Sequence, residues 1–552
     1  MSKSTITTTT TAELSTGRVR AILALALVIA LIAAGVFARV RANTDDVQAE
    51  AAGDLDPTFG NGGKIVTDFS VPAGANALAI QSDGKLIVAG IVQLPTGFDF
   101  GLARYNPDGS LDTSFGNGGS LAIDFFGGDD RALAVALQPD GKIVVAGHAT
   151  TQSGGLDFAL ARVNSNGTID TSFGSGGKIT DDFHGRDDRI RSILILSDGR
   201  IGVAGFATQA DGSSYGAAAV YKANGNLIGK GDDDGFKVFS ALALQPDGKI
   251  ILGGSVVEGQ GPRDDFRLQR IDANFEPDPA FGNRGDVITD FGGNDDAFAL
   301  ALQPDGKIVA AGASGQAGVG EFALARYNTD GSLDSSFGSS GKLRSSSLGS
   351  PGKGAIANAV LIQPDNKIVA VGVSNPGAGT SDFTLLRYNA DGTLDSTFGS
   401  GGQLMTDFFG SDDFARAALI QPDGKIVVAG FTTKSPGGPA LVALARYSTG
   451  IVKGFSIGFE QATVTAERGT KARVNVVITR TGGFTGNVTV TPADPSGGIK
   501  PKPNAPMTTS DSSVVYKMKI GAGADPGPHD LVFTAKDDSG TTKTATVRIV
   551  VQ

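Results

Sequence analysis

Acidic residues recur at one kind of corner. The chain reads Asp124-Phe-Phe-Gly-Gly-Asp129-Asp130, Asp182-Phe-His-Gly-Arg-Asp187-Asp188, Asp290-Phe-Gly-Gly-Asn-Asp295-Asp296 and Asp407-Phe-Phe-Gly-Ser-Asp412-Asp413. Carboxylate oxygens are hard ligands, and Ca2+ takes about six to eight of them. The competing role is local, because an Asp in a turn accepts hydrogen bonds from free backbone N–H groups. Each corner offers few carboxylates, and nothing in the spacing makes them converge. Turn bracing is therefore the first expectation here and Ca2+ binding the second.

Three further patterns invite chemistry. Asn106-Pro-Asp-Gly-Ser-Leu-Asp112, with its counterparts Asn328 to Asp334 and Asn389 to Asp395, places oxygens at alternate positions. A full calcium loop has more ligands and a terminal Glu, so a hairpin turn is the better reading. An arginine stands in Phe-x-x-x-Arg at 104, 162, 270, 326 and 387, and again at 446, whereas Ala219 is read in that place in the copy between 162 and 270. A buried guanidinium must find a carboxylate or carbonyls. The Asp of a recurring Asp-x-x-Phe-Gly phrase is the expected partner, in a structural network. Gly212-Ser-Ser214-Tyr-Gly216 matches a nucleophile-elbow pattern in letters only. That pattern needs a strand-to-helix turn and an ordered triad. Glu258 and Glu321 are acidic entries without a visible partner.

Composition closes other routes. There is no Cys and no Trp, and the three His, at 148, 184 and 529, stand alone. Disulfides, thiolate metal sites and cysteine nucleophiles are excluded. The net charge of −10 disfavours nucleic acid as a partner. No catalytic, cofactor-binding or metal-ligating residue is assigned, and the only cofactor considered is Ca2+.

The elements that would position these residues are repeats. The phrase Gln-Pro-Asp-Gly-Lys, or a variant, starts at 81, 138, 196, 245, 303, 363 and 421. Asp-x-x-Phe-Gly starts at 56, 112, 170, 278, 334 and 395, and the copy expected near 228 is eroded to Leu-Ile-Gly-Lys. Each unit reads as four short strands. In the second copy these are Ser120 to Phe125, Ala132 to Gln138, Ile143 to Ala146 and Asp157 to Asn164, with Pro139-Asp-Gly141 as a tight turn. Seven such units over 55–452 predict a seven-bladed β-propeller. The last copy lacks a trailing Asp-x-x-Phe-Gly and the first copy has one with no strand before it, so the two ends are expected to close the ring.

These phrases resemble the delta-60 repeat family, a glycine-rich bacterial repeat. The resemblance implies a propeller-like extracellular or envelope protein and assigns no chemistry to residues. Beyond it, 455–552 alternates apolar and polar residues in Ala472–Ile478, Asn487–Thr491, Val514–Ile520, Asp530–Ala535 and Thr544–Val551. Six or seven strands in this length predict a β-sandwich, similar to bacterial immunoglobulin-like modules. The whole is thus an all-β chain.

The N-terminus carries a polar tail, 1–20, an unbroken apolar run, 21–38, and a linker, 39–54. The run would span ~27 Å as a helix, so it reads as a signal peptide or a transmembrane helix. Either places the bulk of the chain outside the cytoplasm, secreted or in the cell envelope, with membrane contact only through this segment. The most divergent segments are the strand-three-to-four loops: Ile91 to Gly97, His148 to Leu156, Phe206 to Ser214, Ser255 to Arg263, Ala313 to Gly320, Val373 to Ser381 and Phe431 to Pro439. Variable loops on a rigid frame suit recognition. The expected function is therefore non-enzymatic recognition, adhesion or scaffolding toward an envelope or extracellular protein or polysaccharide. The alternatives are a propeller hydrolase or lyase acting on an envelope polymer, and a purely architectural envelope protein.

Overall fold

The computed structural model describes residues 51–552, apart from 153, 234, 258–263, 273–274, 317–318, 346–353, 376–379, 451–453, 462, 482–483, 485, 494–496, 504 and 539. The described chain satisfies its backbone by strand pairing. It contains no helix, and so none long and apolar enough to cross a membrane. The expected transmembrane helix is corrected on that finding. Its residues, 21–38, lie outside the described ones, as do 1–20 and most of 39–54.

Seven four-stranded antiparallel sheets follow one another from residue 64 to residue 447. In the first blade Ala73–Ile80, Leu86–Leu94, Gly97–Tyr105 and Ser120–Ile123 lie side by side in chain order. The innermost strand, Ala73–Ile80, packs against the innermost strands of both neighbours, Arg131–Leu137 and Asp413–Ile420. The ring is therefore closed. Its last blade joins Asp413–Ile420, Ile426–Thr433 and Ala440–Tyr447 to Lys64–Thr67 from the start of the chain, in the register Lys64↔Ala445 to Thr67↔Val442. The expected closure holds.

The expected phase of the unit does not. The strand beginning at Ser120, expected to open the second unit, pairs with Gly97–Tyr105 and is the outermost strand of the first blade. Each sequence unit therefore straddles two blades. Second and third strands also run further than expected. Ile143–Thr150 includes His148, so the expected loop shrinks to a short turn before Leu156.

One glycine per blade has a steric cause. Each innermost strand carries a β-bulge, as between Ala132 and Ala134. The bulge pushes a carbonyl toward the second strand. A Cβ on Gly147 would lie 1.9 Å from the Arg131 oxygen, and the matching glycines of the other six blades are equally confined. Side chains of the second and third strands are buried on both sheet faces, since neighbouring blades cover them, as in Ile143–Thr150.

The three repeat phrases meet at one point in six of the seven blades. In the first blade, Asp112 Oδ2 accepts bonds from Arg104 Nε at 2.7 Å and Lys85 Nζ at 2.8 Å. The Arg104 guanidinium lies 4.7 Å from the centre of the buried Phe115 ring. It also donates to the Ser165 carbonyl of the next blade, while Gly116 N donates to Asn166 O there at 2.9 Å. The network is therefore a latch between blades. Six blades have it, with the Lys–Arg–Asp sets 85–104–112, 142–162–170, 249–270–278, 307–326–334, 367–387–395 and 425–446–56. The last set spans the ring closure. Burial pushes the Asp56 carboxyl up, but hydrogen bonds from Lys425 and Thr58 outweigh it and bring it to about 2. In the third blade the latch fails as a whole: Arg200 replaces the Lys and pairs with Asp198, the Asp-x-x-Phe-Gly phrase is lost, and strand register puts Val220, one position beyond the expected Ala219, in the place of the Arg. Isolated members of a buried charge network cost stability, which explains the joint loss.

The C-terminal module is a sandwich. Gly454–Phe459, Lys471–Thr481, Ser513–Ile520 and Ile499–Lys502 form one sheet. Thr463–Ala466, Thr542–Val551, Gly527–Asp537, Val488–Pro492 and Met507–Thr509 form the other. Tyr516, Phe533, Val476, Val490 and Ile549 share the core between them. The strands at Thr463, Ile499 and Met507 are too short to show as alternation in the sequence.

Candidate functional site

The acidic corners bring carboxylates together. Among the described residues, four groups of three have oxygens within 4.8 Å of one another: Asp99, Asp124 and Asp130; Asp157, Asp182 and Asp188; Asp265, Asp290 and Asp295; Asp382, Asp407 and Asp413. Each group is built alike. One Asp stands within the first three residues of a blade's third strand, the second follows that blade's outermost strand, and the third stands at the innermost strand of the next blade. Two members of each group belong to the acidic corners read from the sequence. The third, at 99, 157, 265 and 382, does not. Its signal is the residue before Phe in Phe-x-x-x-Arg.

Turn bracing holds for two members of each group: Asp124, Asp182, Asp290 and Asp407 each accept from the backbone N–H of a following glycine, and Asp130, Asp188, Asp295 and Asp413 accept from that of a corner phenylalanine. Asp130 accepts from Phe125 N at 2.8 Å and from Thr150 N at 3.0 Å, and Asp295 accepts from Phe291 N at 2.6 Å. It does not account for Asp99, which is fully buried with neither carboxylate oxygen hydrogen-bonded. Asp295 Oδ1 is likewise buried without a partner. A buried carboxylate without a partner costs several kcal/mol or gives up its charge. The titration follows suit. Burial, then the charges of Asp124 and Asp130, push Asp99 up to about 6. Burial and neighbouring carboxylates also push Asp157, Asp188, Asp382 and Asp413 up to about 6.

One ammonium stands near each group. Lys64 Nζ donates to the Asp407 carbonyl at 3.0 Å and Lys342 Nζ to the Asp290 carbonyl at 2.8 Å, while Lys178 and Lys230 make the same bond to Asp124 and Asp182. These bonds go to backbone oxygen, and no group gains a direct ion pair to its carboxylates from them. Three convergent carboxylates, half enclosed, fit a hard divalent cation.

The other three junctions support that reading by contrast. Tyr215, Glu321 and Leu441 occupy the place of Asp99 there, by strand register. The acids that remain have protein cations instead. Glu321 pairs with Arg344 at 2.9 Å and Asp68 with Lys434 at 3.1 Å.

The remaining candidates resolve simply. Asp108 Oδ1 accepts from Ser110 N at 2.9 Å inside a hairpin turn, and Asp112 is the latch acid, so this segment is not a calcium loop. The six arginines form the expected structural network. Ser214 opens a strand, Ser214–Tyr221, directly after a hairpin turn, so the elbow geometry is absent. Glu258 lies outside the described residues.

The fold and its corners define a repeat propeller with paired-blade acidic sites. Six segments, 81–115, 138–173, 245–281, 303–337, 363–398 and 421–450, match a family described as a domain of unknown function (DUF5122) beta-propeller. The first five run from the Gln of the turn phrase to the Phe of the latch, and the latch-less third blade is not among them. This description, rather than the delta-60 name, is what the match carries. No characterised protein sequence matches the chain. Among solved structures it is similar to a Bombyx mori beta-fructofuranosidase in complex with sucrose, at 12% identity over 71% of this chain and 93% of that one, with a TM-score of 0.27. It is also similar to fructan 1-exohydrolase IIa from Cichorium intybus, at 9% identity over 70% and 98%, with a TM-score of 0.23. Domains 4 and 5 of the S-layer protein SbsC match at 16% identity over 32% and 88%, with a TM-score of 0.15. At these scores the likeness assigns no function.

Proposed function

We propose that this chain is an exported propeller that recognises an envelope or extracellular protein or polysaccharide without transforming it, and that Ca2+ orders its recognition face. The carrying observation is the set of four triads. Each ties a third strand, an outermost strand and the next blade's innermost strand together on the face that bears the second-to-third-strand turns. Phe98 N and Thr150 Oγ1, from two such turns, both bond to Asp129 of the first corner. Sites with few carboxylates suit the roughly 10⁻⁴–10⁻³ M affinities of extracellular calcium modules. The apolar run 21–38, read as an export signal, supports the same compartment. Fourfold repetition argues for an ordering role, since a reaction centre is needed once.

The test uses the full chain and a native envelope fraction, in millimolar Ca2+ and in EGTA. Retention in Ca2+ that is lost in EGTA, with no soluble fragments released, is the expected result. Release of polymer fragments, or the absence of retention in Ca2+ by a folded chain, overturns the proposal.

A further inference from the structure

The third blade breaks the repeat, and the break leaves a cleft. In the second blade the latch phenylalanine, Phe173, is fully buried beside the next blade. In the third blade the chain turns at Lys222–Asn226 and enters its outermost strand directly, with no latch segment. The junction with the fourth blade holds a cleft of about 740 Å³. Its walls are Ala218 and Val220 from the third blade and Phe239, Leu252 and Ile271 from the fourth.

The strand at its mouth is unusual too. Leu227–Asp233 has seven residues, whereas the outermost strands of the other six blades have four. Leu227 and Ile228 are 41% and 48% exposed. Short edge strands avoid adventitious pairing, so a long one with two exposed apolar residues at a single blade departs from the rule the rest of the ring follows.

The rim is polar and ordered. Asp232 Oδ2 accepts from Gln209 Nε2 at 2.8 Å and lies 2.9 Å from His184 Nε2. Gln269 Nε2 donates to Asp233 Oδ2 at 3.2 Å. Tyr215 also lines the cleft, and among the described residues its hydroxyl has no hydrogen-bond partner. Two Asp face one Lys in the lining, which disfavours phosphate, sulfate or uronate groups. Apolar walls with amide, carboxylate and phenol groups at one edge suit a ligand with an apolar face and a row of hydroxyls.

We propose that this unlatched junction binds a neutral saccharide segment, whose C–H face lies on the Phe239–Ile271 wall and whose hydroxyls meet Tyr215, Gln209 and Asp232. A specific ligand site on a repeat frame is expected at one blade only, and this cleft is the feature that makes one blade different. The inference rests on the recognition reading, and it names that reading's ligand class.

The test is saturation-transfer NMR and calorimetry on the full chain. The probes are cellobiose and chitotriose as neutral saccharides, and tri-galacturonate as the charged control. The variants are Tyr215→Phe and Gln209→Ala, both at partly exposed positions, with melting temperature as the folding check. The expected result is binding of a neutral probe, weakened tenfold or more in each folded variant, with no binding of tri-galacturonate. Equal binding of the uronate, unchanged affinity in both variants, or no neutral probe bound overturns the inference. So does protection of the Leu227–Asp233 amides by an extended peptide such as acetyl-Thr-Val-Thr-Val-Thr-amide in preference to any sugar. Envelope retention by the same variants separates the two proposals. Retention that survives in variants that bind no sugar refutes the saccharide site alone, whereas no retention of the wild type refutes recognition itself.

Discussion

Removing one latch arginine should loosen one junction of the ring by a measurable amount. Arg387 is 2% exposed. Its Nε donates to Asp395 at 2.7 Å, one Nη to Thr449 O of the next blade at 2.7 Å, and its guanidinium lies 4.6 Å from the centre of the Phe398 ring. Removing one partner of a buried pair costs roughly 3–5 kcal/mol. Arg387→Leu leaves Asp395 with Lys367 at 2.8 Å, and that lysine side chain is 27% exposed. Partial neutralisation brings the expected cost to about 3 kcal/mol. Lys367→Met removes the more solvated partner and should cost about 1 kcal/mol or less. Urea unfolding of both variants measures the totals, and hydrogen exchange at the sixth and seventh blades locates the loss. A loss for Arg387→Leu no larger than that for Lys367→Met would refute the latch as the device that holds blades together.

The acidic sites predict an unusual pH response. Asp99, Asp157, Asp188, Asp382 and Asp413 have folded values near 6, above the unfolded value of 3.8. Their contribution to stability is therefore fully present below pH 3.8 and lost as pH rises through 6. In EGTA, stability should fall across that window, and the melting temperature with it. Solvent screening and the coupling of neighbouring carboxylates hold the loss to at most about 3 kcal/mol per triad. In saturating Ca2+ the fall should disappear, and a fall of equal size with and without Ca2+ contradicts the site assignment. Asp99→Asn removes a buried carboxylate that nothing in the protein pairs, so it should raise the EGTA melting temperature and lower the gain from Ca2+. Gly147→Ala places a Cβ 1.9 Å from the Arg131 oxygen and should cost well over the ~1 kcal/mol of an ordinary Gly-to-Ala change at a tight turn such as Gly118, whose surroundings are open. Comparable melting points for the two variants would sink the bulge argument.

Much of the architecture is legible because the chain is its own alignment. The turn phrase, the Arg set and the Asp-x-x-Phe-Gly phrase recur at fixed offsets, and the eroded third copy keeps its turn while the latch Lys, the Arg and the Asp-x-x-Phe-Gly phrase are lost together. Ring closure can be read from the unmatched ends. The phase of the blade cannot, because Ser120–Ile123 pairs backward by hydrogen bonds that leave no mark in composition. The triads are half legible. Asp124 and Asp130 are neighbours in sequence, but Asp99 joins them only through the register that sets Phe100 opposite Ile123. The overlooked clue is that Asp precedes the phenylalanine at 99, 157, 265 and 382, in the copies whose corners keep both acids, whereas Tyr215, Glu321 and Leu441 stand there in the others. The cleft is invisible in the sequence because an absent latch reads as erosion until the neighbouring blade is in place.

The central claim is that the propeller carries four divalent-cation sites built across blade junctions. Equilibrium dialysis of the full chain against radiolabelled Ca2+ tests it most directly. The account predicts four saturable sites per chain in the sub-millimolar to millimolar range, reduced to three in Asp99→Asn. Unsaturable uptake, no uptake, or a stoichiometry that Asp99→Asn leaves unchanged would contradict it.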